Sequence, residues 1–164
     1  MGIGKRLIVT ACFFVAACGT PSPEVPSGAE NTAAALSGDD KGEAATNPQC
    51  QMFTSQEVAT FSGKPVGAGR NAAMGSGCQW MATDEKGSAM VQTIPATYHS
   101  PASAAPGFKD LRDVGERGFI VPETGGWSAA AIQGDKSVNV STPPGATEAS
   151  TVAFLREAMK RSAK

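Results

Sequence analysis

Between Gly19 and Gln49 the chain carries one Val, one Leu and no aromatic residue, and this confines folding to the residues C-terminal to it. The segment is built from Pro, Ser, Thr, Gly, Ala and acids. It cannot bury enough apolar surface to offset the entropy lost on ordering a backbone. Residues 18–49 therefore read as a disordered tether, and a flexible coil of that length spans about 30 Å end to end. A short helical turn around Asn31–Leu36 finds no partner face in the sequence. What remains, 50–164, is one domain with a single core.

Ahead of the tether lies a short basic start, Met1 to Arg6, and an apolar run from Leu7 to Ala17. A helix crossing the hydrocarbon core needs about 20 apolar residues, so this run is too short to span. It fits the apolar region of a signal peptide covering 1–17. The run ends in Val15-Ala16-Ala17-Cys18, which resembles the lipobox of bacterial lipoproteins: a branched apolar residue, two small ones, then Cys. Small side chains let an extended backbone enter a peptidase cleft, and a thiol suits thioether formation. The resemblance implies diacylglycerol on Cys18, cleavage just before it, and an amino terminus open to a further acyl chain such as palmitate. Two or three chains, at about 0.8 kcal/mol per buried methylene, hold a protein on a membrane. Cys12 also follows small residues, but cleavage there leaves too short an apolar region, so it reads as a hydrophobic filler. The rival to all this is ordinary secretion with Cys18 incidental. By the same resemblance Gly19, standing where Asp signals retention, permits sorting to an outer membrane. The expected location is the cell envelope, lipid-anchored on the outer side of the cytoplasmic membrane or in an outer membrane.

Charge separates the parts: +2 over 1–17, −4 over 18–49 and +1 over 50–164. Nucleic-acid binding demands a clustered basic face, and a near-neutral domain on an acidic stalk offers none. Nucleic acid is set aside as a partner.

Within the domain, Thr54 and Glu57 have capping-box spacing and open a helix that Ser62-Gly63 stops. Strands are expected near Lys64–Gly67, at Gly77–Thr83 and at Ser88–Ile94, the last two joined by the hairpin turn Asp84-Glu85-Lys86-Gly87. Pro95 to Gly107 reads as loop, and Phe108, Leu111 and Val114 as one helical turn. Gly118–Val121, Trp127–Gln133 and Ser137–Ser141 read as three more strands, separated by Gly-rich turns. Ala146–Arg161 is the clearest helix, with Val152, Leu155 and Met159 in a stripe and charges that suit the helix dipole. The expected fold is α+β: an antiparallel sheet of about five to six strands, with a helix near each end packed on one face.

Residues 50–161 resemble small bacterial lipoprotein domains of unknown function in which a Cys precedes a capped helix and a second Cys precedes a Trp. Here these are Cys50 with Thr54–Glu57, and Cys78-Gln79-Trp80; Asp113–Phe119 is similar to the turn such domains carry before their second group of strands. The resemblance bears on architecture and brings no activity with it.

Once Cys12 is removed and Cys18 lipidated, Cys50 and Cys78 are the remaining thiols, and outside the cytoplasm two such cysteines form a disulfide. With 7 Phe, 2 Trp and 1 Tyr in the chain the core is modest, so such a staple matters. Neither cysteine has metal-ligand spacing, no C-x-x-C exists, and no metal or cofactor is expected. His99, the single histidine, reads as an exposed loop residue. It lies near Ser100 and Ser103 but without an elbow or oxyanion motif. Asp84-Glu85 sits in a turn, and Asp110 with Asp113 alternates with Lys109 and Arg112 as on a solvated face. Gly67-Ala68-Gly69-Arg70 and Gly75-Ser76-Gly77 lack the lysine and following helix of a phosphate loop. Trp80 reads as core; Trp127 and Tyr98 are candidates for ligand contact. The resulting expectation is a non-catalytic lipoprotein that binds or assembles with an envelope protein or small ligand. An inhibitor of an envelope hydrolase is the alternative, and a hydrolase using His99 a more distant one.

Overall fold

The computed structural model describes residue 44 and residues 46–163. Residues 1–17, read as a signal peptide, Cys18, the stretch to 43 read as tether and the turn expected at Asn31–Leu36 lie outside the described residues. Two helices open the domain, α1 (Pro48–Gln51) and α2 (Ser55–Ser62). Seven strands come next: β1 (Arg70–Ala72), β2 (Gly77–Met81), β3 (Ser88–Pro95), β4 (Lys109–Leu111), β5 (Glu116–Glu123), β6 (Gly126–Gln133) and β7 (Lys136–Thr142). Helix α3 (Glu148–Ser162) closes the domain. All strand pairs are antiparallel, in the order β1-β2-β3-β7-β6-β5-β4. Two meanders, β1–β3 and β4–β7, are thus joined by the pairing of β3 with β7.

The α+β architecture is as expected, but the strand count is higher and three assignments change. Lys64–Gly67 is no strand; Val66 makes one isolated bridge to Ala82. Its place at the edge is taken by β1, which begins at Arg70 within a stretch read as loop. The turn expected at Phe108–Val114 is the other edge strand, β4, with Phe108 packed on one side of the sheet and Leu111 and Val114 on the other. Three-residue spacing arises there from a strand running into a turn. Both edge strands are three residues long, too short for a period-2 pattern to declare itself. Short, charged edges such as Lys109-Asp110 also discourage pairing with foreign strands.

One register line crosses the sheet through Cys78, Val91, Val140, Ala129 and Ile120, all pointing to the helix side and buried. Alanines 129 and 131 present only methyl groups there, which lets α3 lie close against β6 and β7. Phe154 on α3 meets Phe53 edge-on at 5.1 Å and stacks on Phe61 at 5.0 Å, so α2 and α3 share one core with the sheet. Helix α2 has both halves of its capping box: Thr54 accepts from the Glu57 amide, and Glu57 accepts from the Thr54 amide at 2.8 Å. It ends at Gly63, where φ is 69°. Thr147 and Ser150 make the same reciprocal cap on α3.

Cys50 and Cys78 form a disulfide, with Cα atoms 4.9 Å apart, that ties α1 to β2. The domain's contacts also reach back ahead of Cys50. Asn47 is buried, and its side-chain amide donates to the Asn71 side chain and to the Gly77 carbonyl at 2.9 Å.

Candidate functional site

His99 is not the exposed loop residue expected. It is 7% exposed, with its ring against Phe119. Its Nε2 lies 3.0 Å from the Arg117 carbonyl and its Nδ1 2.8 Å from Ser137 Oγ. A carbonyl only accepts, so Nε2 donates to Arg117; in the neutral ring Nδ1 is then the acceptor and the Ser137 hydroxyl donates to it. Arg117 offers that carbonyl because β5 bulges between Glu116 and Phe119, with Arg117 at a φ of 51°. Sequence spacing could not reveal this partnership, since Ser137 is 38 residues away and Ser100 and Ser103 are the near neighbours. Ser137 has no solvent exposure, so no substrate carbonyl reaches it. The histidine fastens the 96–108 segment over β5 and β6, where Phe108 stacks on Phe119.

Trp80 is 1% exposed, in the core as expected. Trp127 is half-buried at the margin of that core and Tyr98 is well exposed, but the two do not meet. Trp127 pairs with Thr142 at one end of β7, whereas Pro95, three residues before Tyr98, pairs with Lys136 at the other. Two of the four candidate carboxylates, Asp84 and Asp113, are held in structural contacts. Asp84 accepts from the Lys86 amide and from Lys64, both at 3.0 Å, and these hold its pKa below the ordinary carboxylate value. That is opposite to what a general acid needs. Asp113 pairs with Arg156 on α3. Among the described residues no three His, Cys, Asp or Glu side chains converge as a metal set.

The Gly67–Arg70 stretch, read as a plain loop, forms one wall of a cleft of about 590 Å³ with Phe53, Trp80 and Met81. Gly69 is needed there: a Cβ would sit 2.9 Å from both Cys78 Sγ and Trp80 Nε1.

Among the described residues, no α-helix packs on the side of the sheet opposite Cys78, Val91 and Val140. The 96–108 segment covers its β5–β6 part and, through His99 on Ser137, the start of β7. Across β2, β3, β7 and β6 the outward residues form two rows: Gln79, Met90, Ser141 and Ser128, then Gly77, Gln92, Asn139 and Ala130. All but Gly77 and Ala130 are half-exposed. Gln79 donates to Ser88 at 2.7 Å and Gln92 to Ser76 at 3.1 Å, so the amides are held in place. No charged side chain stands in either row on these four strands; the first row ends in a charge on the edge strand β1, where Arg70 pairs with Gln79. Alternation was legible in each strand, but which strands adjoin depends on the β3–β7 pairing, which no local pattern encodes.

Among the described residues no helix is long and apolar enough to cross a membrane. Compared with known proteins, the chain matches no family model and no curated protein sequence.

Proposed function

We propose that this chain is an envelope lipoprotein anchored through Cys18, and that its domain is a non-catalytic binding or assembly module which offers the open sheet face to a protein partner. The anchor rests on the lipobox resemblance, the short apolar run and the tether. The binding role rests on one observation: the uncharged face formed by Gln79, Met90, Gln92, Asn139, Ser128 and Ser141. A solvated sheet face is where Lys and Glu ordinarily collect. Interface centres are depleted in charge and enriched in Met, because amides, hydroxyls and thioethers are less costly to dehydrate. The inward-turned His99 and buried Ser137 support a structural part for the single histidine.

Photo-crosslinking residues placed at Gln92 and Asn139 in the cell-expressed chain test the face, with exposed Ala153 on α3 as the reference position. Adducts of one mass at the two sheet positions and none at Ala153 are expected; equal yields at all three refute the assignment. Mass spectrometry of the membrane-extracted chain tests the anchor separately, since a diacylated amino-terminal Cys18 is expected.

A further inference from the structure

A second cleft lies on the helix side, between α1 and the last turns of α3, over the ends of β3 and β7. Its volume is about 710 Å³, within the range of small-molecule sites. Among the described residues, Lys136, Lys160 and Arg161 line it against a single carboxylate, Glu157. Each of the three guanidinium nitrogens of Arg161 already has a partner: the group bonds Glu157 and Glu57, each at 2.8 Å, donates to the Met52 carbonyl, and lies over the Phe53 ring. Lys160 stands 3.6 Å from Glu157, and Lys136 makes no ion pair among the described residues. The lining also includes Thr93, whose Oγ1 is buried without a hydrogen-bond partner among the described residues. Thr93 pairs with Val138 and so points to the same side of the sheet as Lys136. A buried hydroxyl without a partner is costly, and native structures rarely leave one so.

We propose that this cleft binds an anionic oxygen group of phosphate type, with the Lys136 and Lys160 ammonium groups as counter-charges and the Thr93 hydroxyl, turned into the cleft by a side-chain rotation, as a further donor. A carboxylate is best matched by a planar guanidinium fork, and the guanidinium lining this cleft is already occupied; two lysines act as point charges, which suits phosphate. Phosphate of this kind comes either from a soluble phosphate ester or from a lipid headgroup. The cleft is bordered by α1, close to where the described residues begin. This site is separate from the open sheet face, and each stands or falls without the other.

The test tracks backbone amide resonances of the full chain in uncharged detergent. It is titrated with inorganic phosphate and with short-chain phosphatidylglycerol, and phosphatidylcholine is the reference. Saturable shifts confined to Thr93, Lys136 and residues 160–162 are expected. Lys136→Ala weakens binding about tenfold, the loss of one charge-assisted bond. Thr93→Val weakens binding while leaving the melting temperature unchanged or higher, because it removes an unpartnered hydroxyl; a purely packing role moves the melting temperature and not the affinity. Phosphatidylglycerol binding tighter than phosphate assigns a lipid headgroup, and equal or weaker binding assigns a soluble phosphate ester. The proposal is overturned by an absence of saturable shifts with both probes, by shifts spread to Lys86 and Lys109, or by affinity unchanged in both variants.

Discussion

Opening the Cys50–Cys78 bond is the most informative perturbation of this fold, because its cost can be worked out in advance. The cysteines are 28 positions apart, so the bond closes a loop of about 29 residues. In the chain-entropy description that removes about 12 cal/mol/K from the unfolded state, about 3.6 kcal/mol at 25 °C. Unfolding entropy near 2.1 cal/mol/K per residue over the roughly 117 residues of 47–163 is about 250 cal/mol/K. Dividing the two gives a fall in Tm of about 15 °C. A local term is superimposed: Cys78 has no solvent exposure, so Cys78→Ala also leaves a small void worth about 1 kcal/mol, whereas half-buried Cys50 leaves less. Cys50→Ala alone should therefore capture most of the effect of the double replacement. Calorimetric melting of the wild-type chain, the reduced chain and the three alanine variants checks this, with thiol content verified by mass. A fall below about 5 °C with fully released thiols refutes the loop-closure account. So does a large loss in Cys78→Ala with little in Cys50→Ala, since packing of the sulfur would then be the source.

Three further outcomes are expected. His99→Ala leaves the Ser137 hydroxyl and the Arg117 carbonyl without their partner and removes a ring from Phe119; a loss of about 2–4 kcal/mol in urea unfolding checks it, whereas a surface histidine costs almost nothing. Gly69→Ala forces a methyl group against Cys78 Sγ and Trp80 and should cost about 1–3 kcal/mol, read by thermal melting together with a change in tryptophan emission. The Glu57 carboxyl, hydrogen-bonded first by Arg161 and then by the Thr54 amide, is lowered from 4.5 to about 2. Because the folded-state pKa is the depressed one, the associated stability is full above 4.5 and is lost as pH falls toward 2. Urea midpoints measured across that window should decline, and Glu57→Gln should flatten the decline.

Local chemistry alone specified much of this domain. Thr54 with Glu57, the stop at Gly63, the alternation within β2, β3, β6 and β7, and the stripe on α3 are all decided by neighbours within a turn or a strand. So helices α2 and α3 and the long strands were legible before any contact was known, whereas α1 lies partly in the stretch read as tether. The pairing of Cys50 with Cys78 was legible too, because elimination left two thiols and one bond. Other features were set only when distant segments met. Edge strands β1 and β4 form because β2 and β5 present open backbone donors and acceptors, and three residues carry no pattern of their own. His99 turns inward because a bulge 18 residues on offers a carbonyl and Ser137 a hydroxyl, a choice invisible to spacing. The uncharged sheet face and the lysine-lined cleft likewise exist only because β3 pairs with β7: hydrogen bonding between strands far apart in the chain is indifferent to side-chain identity, so the residues it brings side by side cannot be read from either strand alone.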